Sequence, residues 1–273
     1  MILAMTCCMR HLPFQLSLVL STLFYFSSCL SSLLGFRSRG LRPGRFDWMV
    51  IALGVLAQSW FLMTQGAMEH ACPIRTLPEV MIFLSWAIGL FYLVVGTTYR
   101  ISLMGAFSAP LILALQSIAL LLPGAKMPLE SSINPWIELH AALSLIAFGA
   151  FGLASISAIM FLVQEKQLKS QHPTTIFHYL PPMRLLEAVT LRLLWLGWVL
   201  LSISFAAGWL PSHSISGMKF GISLLVWGSY VLTLFLYHKH RVGAHHLALM
   251  AILIFFFALM IFPVMRYISG LYF

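Results

Sequence analysis

The sequence predicts an all-α fold: a polytopic integral membrane bundle of eight transmembrane helices with both termini outside. Three observations lead there. Of 273 residues, 60% are hydrophobic and 8% charged, where a soluble globular chain carries roughly a quarter charged. The 16 Lys and Arg and 7 Asp and Glu avoid eight stretches entirely: 11–36, 48–68, 80–99, 101–125, 139–164, 193–218, 220–238 and 242–265. Each stretch is 19 to 26 residues long, enough to cross a hydrocarbon core about 30 Å thick at 1.5 Å rise per residue. This composition excludes an ordinary soluble enzyme, a disordered chain and a collagen-like fibre. Runs such as Leu247 to Phe262 lack the short alternation of a barrel strand. Helices remain, because lipid offers the backbone no other hydrogen-bond partner.

The first span, 14–36, is closed by the basic loop of Arg37, Arg39, Arg42 and Arg45, with Gly40, Pro43 and Gly44 breaking the helix. The stretch before Arg10 has no charge, unlike the basic start of a signal peptide, so the first span is read as retained, with Met5 or Met9 as alternative starts. Span two covers 48–64, and span three covers 79–98 after the turn between Cys72-Pro73 and Pro78. Span four, 102–122, stops at Pro123-Gly124. Span five, 136–163, follows Pro128 and Pro135 and is long enough to tilt or project beyond the bilayer. The longest connection, 164–191, ends in a segment, 183–192, that reads as an interfacial helix. Spans six, seven and eight cover 193–210, 218–237 and 246–267. No soluble domain fits in the remainder, so 1–273 reads as a single membrane domain.

Lys and Arg set orientation, with the richer side cytoplasmic. One side collects eleven, in the 37–45 loop, at Arg100, at Lys166, Lys169, Arg184 and Arg192, and at Lys239 and Arg241. The other collects Arg10, Arg75, Lys126, Lys219 and Arg266. The formal net charge of +9 is mostly this inward bias, which anionic lipid favours, and it needs no nucleic-acid partner.

Few residues can carry chemistry. Cys7, Cys8, Cys29 and Cys72 form no Cys-x-x-Cys and no covalent haem-attachment motif. Cys72 is on the outer side with Cys7 and Cys8, where a disulfide can form, although unpaired thiols are the plainer reading. No Gly-rich phosphate loop, His-Glu-x-x-His helix or nucleophile elbow occurs, so no catalytic residue is assigned. Glu79, Glu138 and Glu187 sit at span ends, where an interfacial structural role is the default.

Histidine is the plentiful resource, ten in all. His140 lies one turn inside the outer end of span five, after the interfacial anchor Trp136. It shares a helix face with Ser144 and Phe148 at spacing of four. Two readings stand: a ligand, or a satisfied histidine bonded to a neighbouring span. Ala150, Ala154 and Ala158 form a separate small-residue stripe that admits another helix. His238 ends span seven and can face the bundle. No cysteine or carboxylate accompanies it, His240, His245 and His246 in sequence, so the last three read as a solvated basic loop.

Several stretches together resemble the cytochrome c assembly protein family, the group of CcsA, CcmC and HemX-like membrane proteins. They are Cys72-Pro-Ile-Arg75-Thr-Leu-Pro-Glu79, Arg100-Ile-Ser-Leu-Met-Gly105-Ala-Phe-Ser-Ala-Pro110, Trp136-Ile-Glu-Leu-His140 through Gln164-Glu-Lys-Gln-Leu168-Lys169, Leu180-Pro-Pro-Met-Arg-Leu-Leu-Glu187, and Trp227 to Gly243. The resemblance covers roughly 14–267 and implies an outward-facing haem ligand at His140 and a second, buried histidine at His238. It also implies an aromatic platform in Gly208-Trp209-Leu-Pro-Ser-His213-Ser-Ile-Ser-Gly-Met-Lys219. That segment keeps Trp209 and Lys219, but is shorter than the family's Trp-rich segment and lacks its central tryptophans and Asp. The family's later outer histidine has no counterpart in the tail Ser269-Gly-Leu-Tyr-Phe273. These departures resemble the HemX/YpjD-like branch.

The expectation is a membrane component of cytochrome c biogenesis in the bacterial inner (plasma) membrane. It would bind or position haem b, with His140 on the iron, His213 as the remaining axial candidate, and Trp136 and Trp209 beside the porphyrin. Other cytochrome c assembly proteins or apocytochrome c would be its partners, and positioning rather than catalysis its role. A haem-free scaffold or regulator of a haem-synthesis or assembly complex is the alternative. A small-molecule transporter is a third, for which paired broken helices at mid-span are lacking. The charge bias yields a test: a reporter active only outside the membrane, fused after Arg45, is expected to be silent. Activity of that fusion would reverse the orientation.

Overall fold

In a computed structural model of the chain, residues 2–37, 45–69, 72–99, 103–122, 134–170, 180–209 and 217–271 are described. Their regular elements are all helices: α1 (Ile2–Arg37), α2 (Arg45–Glu69), α3 (Leu77–Tyr99), α4 (Met104–Leu121), α5 (Pro135–Ser170), α6 (Met183–Trp209), α7 (Gly217–His238) and α8 (Ala244–Leu271). All eight contain a stretch long and apolar enough to cross a membrane. The start of α3 and the end of α7 carry caps that their sequences encode. At the start of α3, Glu79 accepts the backbone N–H of Arg75 at 2.7 Å and of Thr76 at 3.1 Å, and the Thr76 hydroxyl accepts the Glu79 N–H at 3.4 Å. This capping box gives Glu79 a structural role. At the end of α7, the Arg241 N–H donates to the Leu236 carbonyl and the His240 N–H to that of Tyr237. His240 occupies the left-handed position (φ 52°) of this Schellman turn.

Helices α1–α4 and α5–α8 fall into two compact units, Met1–Met127 and Pro128–Phe273. In the first, α1 packs on α2 and α4, and α3 packs on the same two helices. Polar side chains staple these apolar helices together. Tyr25, wholly buried, fills the space left by Gly54, where a Cβ would stand 2.6 Å from its ring. Its hydroxyl donates to Gln58 Oε1 at 2.7 Å, and Gln58 Nε2 donates to Ser85 Oγ at 2.7 Å and the Ile82 carbonyl at 2.8 Å. One amide thus joins α1, α2 and α3. Gln116 of α4 donates to Ser21, Thr22 and the Leu18 carbonyl of α1. Asp47, buried in the first turn of α2, accepts the hydroxyls of Ser31 and Ser32.

The second unit is built around α5. Nearly every residue from Leu145 to Phe161 is buried, as a helix apolar on all sides must be. Ser157 Oγ donates to the Leu186 carbonyl of α6 at 3.0 Å, and Ser155 Oγ to the Ala251 carbonyl of α8 at 3.1 Å. The Phe151 ring lies against Gly197 of α6, where a Cβ would come within 2.5 Å of it, and stacks on Tyr230 of α7 at 3.7 Å. The interfacial helix expected at 183–192 is corrected here: the segment is the first part of α6, continuous to Trp209. Leu186, Val189, Thr190, Leu193 and Leu194 are all buried, so one uninterrupted face packs on α5. Burial outweighs the charges of Arg184 and Arg192, which lie outside that face.

Ala150, Ala154 and Ala158 have no exposed surface, and the stripe they form faces the interior of the second unit. Ala154→Leu forces extra atoms into a closed interface, an overpacking cost of about 1–3 kcal/mol. A lower thermal unfolding midpoint in detergent is therefore expected, and an unchanged midpoint would contradict the packing.

Candidate functional site

Helix α5 starts where Asn134 caps it. Asn134 Oδ1 accepts the Trp136 N–H at 3.1 Å, and its carbonyl accepts that of Ile137 at 2.9 Å, with Pro135 in the first helical position that tolerates it. Trp136 in this first turn is exposed, and one turn further on the His140 side chain meets the last turns of α6. Its Nδ1 donates to the Ser204 carbonyl at 2.7 Å and lies 3.0 Å from Ser204 Oγ. Ser204 Oγ donates in turn to the His140 carbonyl at 2.8 Å, and Ser144 Oγ stands 2.6 Å from the same hydroxyl. His140 and Ser144, successive members of the predicted stripe, therefore converge on one residue of the neighbouring helix. Phe148, the third member, is buried beneath them and meets Phe151 edge-on.

Two neighbours complete the surroundings of the imidazole. Phe205 meets it edge-on, with centroids 6.5 Å apart. Gly208 leaves it room, because a Cβ there would stand 2.8 Å from Nδ1. Across Phe205, an open cavity of about 330 Å³ lies between α6 and α7, lined by Ser202, Phe205, Ala206, Trp209, Leu224 and Trp227. Trp227 Nε1 donates to Ser202 Oγ at 2.9 Å, and Ser202 Oγ donates to the Trp198 carbonyl at 2.8 Å, so these polar atoms are satisfied within the protein and the cavity is mainly apolar. Trp198, one turn away on α6, lies 6.0 Å from Trp227.

The contact of His140 with Ser204 and Gly208 brings the start of α5 and the end of α6 together. Trp136 and Trp209 consequently occupy the same end of the second unit. Trp209 is exposed at the α6 terminus. His213 lies outside the described residues. His238 is exposed at the far end of α7 instead of facing the bundle as its position in the sequence suggests. There Tyr237 donates to Glu187 at 2.6 Å, an interhelical bond that gives this carboxylate a structural partner.

The reading of His245 as one of three solvated histidines is corrected as well. Its Nδ1 lies 2.6 Å from Glu165 Oε2, and Glu165 also bonds Lys169 at 2.7 Å. The carboxylate comes from α5, eighty residues earlier, so adjacency along the sequence could not reveal it. His240 and His246 are exposed as expected. Among the described residues, no group of three or more His, Cys, Asp or Glu could hold a metal ion. Cys29 is a free thiol among the described residues; the side chains of Cys7 and Cys8 lie outside the described ones.

Sequence reasoning missed Ser204 and Gly208. The signal was a pair of small residues four apart on α6, a spacing that lets helices approach closely.

Residues 74–272 match the family model described as Cytochrome C assembly protein, which spans α3 to α8. Protein HemX of Brevibacillus brevis is 28% identical over 230 residues, covering 81% of each chain. A 28.8 kDa protein of Azospirillum brasilense, encoded in a nifR3-like 5' region, is 26% identical over 60% of each. Cytochrome c biogenesis protein CcsA of Trichormus variabilis is 28% identical over 96 residues, 33% of this chain and 27% of that protein. The match to CcsA thus spans about a quarter of its length, and the match to HemX most of it.

Proposed function

The chain belongs to the cytochrome c assembly protein family, and we propose that in cytochrome c biogenesis it holds and positions haem b, with His140 as the outer iron ligand. One observation carries the reading. The His140 ring is fastened to α6 through Nδ1, while Nε2 has no hydrogen bond among the described residues. A metal-binding histidine commonly spends its second nitrogen in this way, and neutral imidazole is an established haem ligand.

The surroundings suit the rest of such a ligand. A porphyrin needs apolar contact on its faces and edges; Phe205 stands edge-on to the imidazole, and it shares with Trp209 and Trp227 the aromatic lining of the cavity on its other side. Trp136 adds an exposed indole at the same end of the unit. His213 is the candidate for the other axial position, which otherwise stays open. When bound, haem supplies the redox-active iron of the finished cytochrome; the chain's part is to bind it, orient it and shield its edge. The partners are other cytochrome c assembly proteins or apocytochrome c. The location is the bacterial inner membrane, with the His140 end outside.

In detergent-purified protein made with haem synthesis boosted, a haem b spectrum is expected. His140→Ala is expected to lower haem content sharply, whereas His213→Ala shifts the spectrum toward high spin or does little. His238→Ala is expected to leave the outer haem unchanged, since roughly a bilayer thickness, about 30 Å, separates the two ends of the spans. Parent protein without haem under these conditions would overturn the haem reading in favour of a haem-free scaffold. Haem content indifferent to His140→Ala would refute this ligand.

A further inference from the structure

We propose that Ser204 and Gly208 are positioning residues that lock His140 in its Nδ1–H tautomer and so keep a lone pair on Nε2. The proposal rests on the reading of His140 as a haem ligand, and it explains how an isolated chain can present that ligand correctly.

A proton inventory requires the tautomer. A carbonyl oxygen only accepts, so the 2.7 Å contact between Nδ1 and the Ser204 carbonyl needs a proton on Nδ1. Among the described residues, the one group that could donate to a bare Nδ1 is the Ser204 hydroxyl, 3.0 Å away. Its proton is already directed to the His140 carbonyl at 2.8 Å. Its oxygen is free to accept from Ser144 at 2.6 Å and to share the Nδ1 proton. Every donor in the cluster is then matched by an acceptor, and the neutral ring has its unprotonated nitrogen at Nε2. The opposite tautomer would set two lone pairs against each other at 2.7 Å.

Gly208 supplies the space. Its φ is not positive, so the backbone conformation there does not call for glycine, and glycine weakens a helix. A Cβ at this position would meet Nδ1 at 2.8 Å, Cγ at 3.1 Å and Cε1 at 3.2 Å. These are atoms of one rigid ring, which cannot yield as the end of a flexible chain does. Phe205 stands edge-on to the same ring. A methyl group at 208 must therefore swing the imidazole away and break the bond to the Ser204 carbonyl.

The test reads the ring without haem. Full-length protein labelled with ¹⁵N-histidine, in lipid nanodiscs at about pH 8 where imidazole is neutral, gives the tautomer from its nitrogen shifts, with His140→Ala identifying the signal. The parent and Ser204→Ala, which keeps the carbonyl, are expected to show Nδ1–H. Gly208→Ala is expected to show mixed tautomers and roughly tenfold weaker haem binding, the usual effect of losing a residue that orients a metal ligand. Gly221→Ala, where a Cβ meets nothing within 4 Å, is expected to match the parent in both. Nε2–H or an even mixture in the parent overturns the lock, and this result needs no variant beyond the His140→Ala protein that assigns the signal. So does a folded Gly208→Ala protein with parental tautomer and affinity. A parent that is Nδ1–H but binds no haem retains the lock and removes the haem reading, so the two failures are distinguishable.

Discussion

Within a hydrocarbon core, a polar atom without an internal partner has none at all. In both units this constraint decides where polar side chains stand and which helices they join. Gln58 satisfies one hydroxyl of α1 and two groups of α3 at once. Gln116 reaches three acceptors on α1, and Ser155 and Ser157 each donate across to a different neighbour of α5. Such bonds are individually modest, but each fixes the register of two otherwise uniform apolar helices. Glycines then set how closely the helices approach, with Gly54 receiving Tyr25 and Gly197 receiving Phe151.

His140 obeys the same constraint with one difference. Like the glutamines it is bonded across a helix interface, yet only one of its ring nitrogens is used among the described residues. Imidazole is also the only side chain in these interhelical links that can keep a lone pair on nitrogen for a metal. His140 stands one turn from the start of α5, at the end of the unit that carries two exposed tryptophans, and against Phe205, which lines an apolar cavity. The family to which the chain belongs supplies the biological setting, and this geometry supplies the reason to put haem at that nitrogen.

Much of the fold was legible in the sequence because burying charge in lipid is costly. The eight charge-free stretches foretold the eight helices, and the alanine stripe of α5 foretold a closed interface. The limits were harder to read where packing overrides composition. The segment 183–192 read as an interfacial helix, whereas Leu186, Val189 and Leu193 carry it into the interior of the second unit. At the site, His140 and Ser144 were visible as a stripe because they lie on one helix. Ser204 and Gly208 were not, since the register of α6 against α5 is a tertiary property. The pairing of His245 with Glu165 was hidden for the same reason, and so was the exposure of His238 at the end of α7.

The central claim is that the His140 imidazole itself ligates haem iron, and chemical rescue tests it most directly. His140→Gly protein is loaded with haem in the presence and absence of free imidazole, and its visible spectrum and haem retention are compared with the parent. The account predicts weak, altered binding without imidazole and a return toward the parental spectrum when imidazole takes the vacated position. A parental spectrum without imidazole, or haem binding that imidazole fails to restore in a folded protein, would contradict it.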